Sequence, residues 1–502
     1  MRAGRNVLAG LVSSVWTALV GLAVVPLYLR YLGLEAYGLI GFFATAQAMF
    51  LLLDLGLAPT INREVARAAA AGVMAEARRL LHTLAQVYWG TALLLGLLIL
   101  GLAPWVANHW LQASGLPLET LTNAVRLMGV VTACRWPVAV YQGALMGMER
   151  MGIASVISVV IVSLGNLGAV GVLAFVSPTI EAFFLWQAGV ALLHLAIVRC
   201  AAWRAVGRDE QTGFDGGALR KVWRFSAAMS GVAVAAILLT QLDKLLLSRM
   251  LSLEDFGRYT LAGVVAAALA IFTVPAFNAI YPRFTALITR DDLKGLERSY
   301  LQGTQLFCAV VFPLALMISG FSEDVFLVWT GNAALAESVA PIAALLVLGY
   351  ALNGVMHFPY ALQLASGAVS LPLMLAVGMA VLMVPIIVLL TSIFGARGGA
   401  GAWLLVNVVY LFIGAWLTHR HLLIGLAPTW LFKCVLLPLA ISLVVMLVGK
   451  YCIDAQAGWS SLARLSAATA VLVLSLLAQA VLSWRLLPQI ANWSFKKIPL
   501  NN

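Results

Sequence analysis

Arg30-Tyr-Leu-Gly-Leu-Glu35-Ala-Tyr-Gly38 returns 219 residues later as Arg249-Met-Leu-Ser-Leu-Glu254-Asp-Phe-Gly257. Each copy begins with an arginine at the end of a long apolar run. The same offset pairs Arg79 with Arg298 and Tyr141 with Tyr360. Six crossing-length runs separate the copies, so both have the same orientation in a membrane. The predicted repeat is therefore parallel, with its pseudo-twofold along the membrane normal. Such a repeat places a binding site between two bundles and permits one to rock against the other. Membrane-embedded enzymes can also carry repeats, so the repeat alone does not decide the activity.

The surrounding composition fixes the class. Of 502 residues, 63% are apolar and 10% are charged, against about 25% charged in soluble domains. Apolar runs fall near 7–29, 37–59, 83–106, 121–146, 152–176, 181–203, 223–248, 257–279, 302–320, 337–364, 370–394, 400–418, 430–449 and 462–484. At roughly 20 residues per crossing, they predict an all-α polytopic membrane protein of about 14 helices. The ten-residue alternation of a strand barrel is missing. Too little sequence remains for a nucleotide-binding or separate catalytic domain. The expected organisation is a lobe over 1–208, a second over 209–421, and an additional helix pair with its tail over 422–502. The run beginning after Arg2 and Arg5 is read as a retained first span, because no cleavage-site pattern with a soluble domain follows it.

The formal charge of +11 is largely an orientation signal. With both termini inside, 22 of the 31 Lys and Arg residues fall in cytoplasmic segments, as the positive-inside rule requires. No nucleic-acid partner is implied. The cysteines Cys134, Cys200, Cys308, Cys434 and Cys452 show neither a disulfide framework nor zinc-site spacing. No GxxxxGK[ST] loop occurs, so direct ATP use is not expected and no cofactor or metal is assigned.

Polar residues inside the apolar runs are the functional candidates, since a mid-membrane charge costs at least about 2.5–3.5 kcal/mol. Arg135 stands mid-span in helix 4 with no acid in its own run, near Thr132, Gln142 and a helix-bending Pro137. Asp54 shares a face of helix 2 with Gln47. Helix 7 carries Ser226, Ser230, Gln241, Lys244 and Ser248 along one stripe, with Asp243 about 100° from Lys244. Helix 10 presents Tyr350, Asn353, His357 and Tyr360. These stripes predict a central water-accessible cavity with Arg135 as its leading ligand. Asp54 and Asp243 serve either ion coupling or neutralisation of neighbouring cations. His357 also fits a hydrogen-bonded packing residue. Arg63, Arg224 and Arg283, at cytoplasmic helix ends, fit cavity-entry ligands as well as orientation charges or headgroup anchors.

The stretch Tyr31–Gly38, the helix-2 ending Leu53-Asp-Leu-Gly-Leu57 through Asn62-Arg-Glu-Val-Ala66, and Thr240-Gln-Leu-Asp-Lys244 resemble Wzx-type polysaccharide repeat-unit flippases. So do Gly143-Ala-Leu-Met-Gly-Met-Glu-Arg150 and Leu327-Val-Trp-Thr-Gly331. The resemblance covers most of residues 1–420. That family lies in the MOP (multidrug/oligosaccharidyl-lipid/polysaccharide) exporter superfamily with MATE exporters and lipid II flippases. It implies two six-helix lobes in a V and a final helix pair beside a lipid-tail groove. It also implies an undecaprenyl-pyrophosphate-linked oligosaccharide carried to the periplasmic leaflet of the bacterial inner membrane. Cationic cavity residues in related lipid flippases meet pyrophosphate, which favours Arg135 and Arg63 here. Membrane lipids are expected partners, and a polysaccharide polymerase is a further candidate partner.

Two alternatives stand beside this reading. A MATE-like proton- or sodium-coupled drug exporter would favour acids in its cavity, whereas Arg135 and Lys244 favour an anion. A glycan polymerase or glycosyltransferase would need acid/base or cation-binding residues in sizeable external loops. The acidic pairs Glu254-Asp255 and Glu323-Asp324 offer little catalytic context.

Overall fold

The computed structural model describes residues 2–54, 56–207, 213–217, 219–220, 237, 240–368, 370–456 and 458–491, omitting the side chains of 2–9, 11 and 482–491. The described regular structure is helical, and the chain forms two compact units, Met1–Gly257 and Arg258–Asn502. Among the described residues nine helices are long and apolar enough to cross a membrane, or ten if a bent pair is one span. Two of the nine are interrupted by a glycine with non-helical backbone angles. The segment Val12–Asp54 runs 43 residues, about 65 Å as one straight helix against a hydrocarbon core of about 30 Å. It is divided at Gly33, whose φ of 80° suits a residue without Cβ. Gly395, at φ 57°, divides Ser370–Val409 in the same way.

Splitting both raises the count to eleven, and the bent pair Leu253–Ala267 and Ala270–Thr289 makes twelve. The other two expected spans are not among these twelve, for separate reasons. The fourth is broken at Trp136–Pro137, where proline supplies no N–H and its ring crowds the preceding turn. The seventh lies largely outside the described residues.

In the first unit, α1 is Arg2–Phe50, α2 Leu57–Ala70, α3 Met74–Trp105, α4 Leu118–Arg135, α5 Val138–Gly147, α6 Met151–Phe175 and α7 Ile180–Val206. The helical stretch 240–250 is α8; α9, Leu253–Ala267, begins in this unit and continues past its last residue, Gly257. The expected second span, 37–59, ends earlier than its hydropathy indicates. A short 3₁₀ turn, Leu51–Asp54, leads to left-handed Gly56, and the separate helix α2 then starts. Its Leu57, Ile61, Val65 and Ala68 are buried, at the spacing of one helix face. On the other face Glu64 pairs with Arg63 and Arg67 at 2.9 and 2.7 Å.

The two repeat motifs meet within this unit. A Cβ on Gly38 would collide with the Leu253 carbonyl oxygen, and one on Gly257 would lie 2.5 Å from that of Leu34. Each glycine thus meets the carbonyl four residues before the other, a reciprocal contact that gives these segments a local twofold relation. The loop after α3 joins both motifs. Glu35 accepts from the Ser114 and Gly115 N–H groups at 2.5 and 3.0 Å. Gln112 Nε2 donates to the Arg249 carbonyl at 2.9 Å, and the Leu253 N–H donates to the Gln112 carbonyl at 2.7 Å.

In the second unit, α10 is Ala270–Thr289, α11 Leu293–Gly320, α12 Ser322–Thr330, α13 Ala333–Val355, α14 His357–Ala365, α15 Ser370–Val409, α16 Ala415–His421, α17 Ala427–Thr429, α18 Leu437–Asp454 and α19 Ser461–Ala491. Fully buried Trp430 stacks on Tyr300 and donates to Thr304 Oγ1 at 3.0 Å. The last helix pair, α18 and α19, packs on α11 and is fastened there by charge. Arg464 reaches Asp324 at 3.0 Å and Asp454 at 2.6 Å, while Lys450 donates to the Gly320 carbonyl at 2.8 Å. Asp324, in a pair the sequence presents as loop charges, is therefore a structural anchor for α19.

Candidate functional site

Arg135 is the last residue of α4, and the helix stops there because Trp136–Pro137 follows. A cation suits this end, where the helix dipole leaves partial negative charge. The guanidinium donates from Nη1 to Gln47 Oε1 at 3.1 Å and from Nη2 to Gln187 Oε1 at 2.8 Å. The Phe43 ring lies 5.9 Å away, within cation–π range. Gln187 is itself fixed, its Nε2 donating to the Gly165 carbonyl at 3.2 Å. That bond turns the amide oxygen toward Arg135. Among the described residues no carboxylate pairs with Arg135.

Two cavities share Arg135 and Gln47, both wholly inside the first unit. The larger, about 450 Å³, is also lined by Tyr28, Asn166, Gln187 and His194. His194 Nε2 is buried there without a hydrogen-bond partner. The smaller, about 370 Å³, includes Asp54, Tyr88, Thr132 and Trp136. Asp54 Oδ1 accepts the Tyr88 hydroxyl, and its Oδ2 accepts the Ala58 N–H at 3.3 Å. Guanidinium carries five N–H donors, and the two amides engage only two of them. The remaining donors, on a half-buried guanidinium that no described carboxylate pairs with, make this a site suited to an anion.

The expected site residues are distributed unevenly. Arg135, Asp54, Gln47 and Thr132 come together. Lys244 and Asp243 lie in α8 and do not line either cavity. Lys244 Nζ is 3.8 Å from Asp243 Oδ1 and donates to the Thr240 carbonyl at 3.2 Å. The long lysine stem spans the 100° between adjacent helical positions. Gln241 is half-buried on the same stretch. Arg63 is exposed on α2. Arg224, Ser226 and Ser230 lie outside the described residues. In the second unit, Arg283 Nε donates to Ser299 at 3.0 Å. Asn353 Nδ2 donates to Asn407 Oδ1 at 2.9 Å, and His357 Nδ1 lies 3.1 Å from the Asn353 carbonyl. His357 also meets the Phe277 ring edge-on at 6.1 Å.

Gln187, His194 and Tyr88 are site residues that the span-by-span reading omits. One signal was available: Gln187 and His194 are seven residues apart in an apolar run, which places them on one helix face.

The comparisons with known proteins agree with this architecture. A lipid II flippase, MurJ, in an inward closed conformation superposes with TM-score 0.71 at 10% identity, covering 96% of this chain and 98% of its own. An inward-facing multidrug resistance MATE family transporter of the MOP superfamily gives TM-score 0.66 at 15% identity, with coverages of 80% and 95%. An outward-facing MATE transporter gives 0.52 at 16% identity, covering 84% and 95%. These likenesses show the fold: an all-helical, multi-pass membrane protein of MurJ and MATE type. No curated protein matches the sequence. The polysaccharide biosynthesis protein model matches residues 3–288, more than half of the chain, and the chain belongs to that family.

Proposed function

We propose that this protein is a Wzx-type flippase. It moves undecaprenyl-pyrophosphate-linked oligosaccharide repeat units from the cytoplasmic to the periplasmic leaflet of the bacterial inner membrane by alternating access, with both termini cytoplasmic. The observation that carries the reading is Arg135: a cation held by two neutral amides, with no paired carboxylate among the described residues, beside open cavities. Family membership supplies the polysaccharide context, and the transporter fold supports a carrier over an enzyme.

The physics of the cargo supports the same choice. The isoprenoid stays in lipid, while its pyrophosphate would cost tens of kcal/mol to bury unpaired in an idealised low-dielectric medium. Arginine meets phosphate with a planar fork. An interior-negative potential favours outward movement of an anion by about 2.3 kcal/mol per charge per 100 mV. Potential and consumption of product outside are the proposed driving forces. A drug-cation exporter is disfavoured because Arg135 would repel its cargo. The test is translocation in proteoliposomes. A pyrophosphate-linked glycan crosses and cationic dyes do not; dye export without glycan movement would overturn the reading.

A further inference from the structure

The second unit holds a buried polar cluster that the proposed transport leaves unused. It lies where α11, α14 and α16 meet the turn that starts the last helix pair. The rings of Tyr300, His419 and Trp430 form a triangle: Tyr300–His419 centroids are 5.5 Å apart, His419–Trp430 5.3 Å and Tyr300–Trp430 6.2 Å. All three side chains are fully buried. The Trp430 N–H donates to Thr304 Oγ1, whose own hydroxyl donates to the Tyr300 carbonyl at 2.9 Å. The Tyr300 hydroxyl and His419 Nε2, by contrast, have no hydrogen-bond partner among the described residues.

The Ala415 carbonyl only accepts, so His419 Nδ1, 2.5 Å from it, carries a hydrogen. The neutral ring then presents a lone pair at Nε2. Buried Gln363 donates from Nε2 to Thr418 Oγ1 at 2.7 Å, and its Oε1 has no partner among the described residues. The cluster therefore offers one hydroxyl donor and two acceptors. Buried polar groups in native proteins are paired, either with protein or with ordered water. An occupant must accept from a phenol and donate to a ring nitrogen and an amide oxygen. Water does all three, whereas an anion would meet two lone pairs. A metal is not indicated, because no group of three His, Cys, Asp or Glu side chains suited to one occurs among the described residues. The backbone nearby departs from α geometry in two π-helical turns, Tyr410–Gly414 and Trp430–Leu436, a form frequent at functional sites. Under the proposed topology these helix ends are cytoplasmic, so water reaches them without crossing the full hydrocarbon core.

We infer that this cluster is an internal hydration site. Ordered water accepts from the Tyr300 hydroxyl and donates to His419 Nε2, with Gln363 Oε1 as a further acceptor. A buried water needs two to four polar partners, and these three groups supply them. Water thus joins the end of α16 to α11 at the root of the last helix pair. Its bonds exchange without leaving a buried group unpaired, so the joint stays satisfied when the helices shift.

The test compares Tyr300→Phe with the wild type, as full-length protein in nanodiscs. The substitution deletes one oxygen and keeps the ring. Loss of a water-bonded hydroxyl removes a hydrogen bond, so the variant's thermal midpoint falls by about 2 °C or more. An orphaned hydroxyl only destabilises, so its removal would leave the midpoint unchanged or raise it; that result overturns the site. A cryo-EM map of the wild type distinguishes water from a direct bond between the two side chains. Ordered density within about 3.2 Å of both Tyr300 Oη and His419 Nε2 supports the inference. A Tyr300 hydroxyl bonded directly to protein, or no ordered density between the two atoms, overturns it even when the midpoint falls. The site does not depend on the cargo, and neither result bears on the flippase reading.

Discussion

Arg135→Lys separates the shape of the cation from its charge. Both side chains carry one positive charge, so topology and long-range attraction are preserved. Guanidinium has five N–H donors and ammonium has three. Gln47 and Gln187 each take one from Arg135, at 3.1 and 2.8 Å, and Gln187 is held in place by Gly165. Three donors remain for a ligand with arginine, and one with lysine if both amides stay engaged. Losing a single charge-assisted bond costs about 1.5–3 kcal/mol, which is roughly 10- to 150-fold in affinity. Titration of the purified protein with farnesyl pyrophosphate measures it. The variant is expected to bind at least tenfold more weakly with an unchanged thermal midpoint. An affinity within twofold of wild type would refute the donor-counting argument and leave charge alone as the requirement.

Three further outcomes follow from the packing and the proposed energetics. Gly38→Ala and Gly257→Ala each force a Cβ into a facing carbonyl, so each should lower stability by about 1–3 kcal/mol. Thermal unfolding in detergent measures this, and unchanged midpoints would count against the close approach of the two motifs. Arg464→Ala removes both carboxylate contacts that fasten α19 to α12 and α18. It should cost about 1–2 kcal/mol, more than an ordinary exposed pair, read as a lowered unfolding temperature. Finally, an imposed interior-negative potential should speed outward glycan flipping in proteoliposomes, each charge moved through 100 mV contributing about 2.3 kcal/mol. Indifference to voltage would remove the potential as driving force.

What could be read in the sequence, and what could not, follows from the range of the interactions. Arg135 is legible because a charge deep in an apolar run is costly wherever its partners are. The repeat is legible because Gly38 and Gly257 meet the same steric demand at the same offset. Pro137 announces the break that leaves Arg135 at a helix end. In contrast, Gln187 and His194 look like ordinary polar interruptions until α7 is packed against α4. The pairing of Lys244 with Asp243 depends on the rotamer of a flexible stem, which residue spacing does not specify. The end of the second span is not legible in hydropathy, which averages over Gly56, whose left-handed backbone precedes a new helix. Arg464 shows the same limit: its partners Asp324 and Asp454 lie 140 and 10 residues away, and only folding selects them.

The central claim is that a half-buried, amide-held arginine in the first unit recognises the pyrophosphate of a lipid-linked glycan. The most direct measurement is the initial flipping rate of such a glycan in proteoliposomes containing wild-type protein or Arg135→Ala at equal, folded density. The account predicts a loss of about a hundredfold or more, the scale of losing more than one charge-assisted hydrogen bond. A variant that flips at the wild-type rate would contradict it.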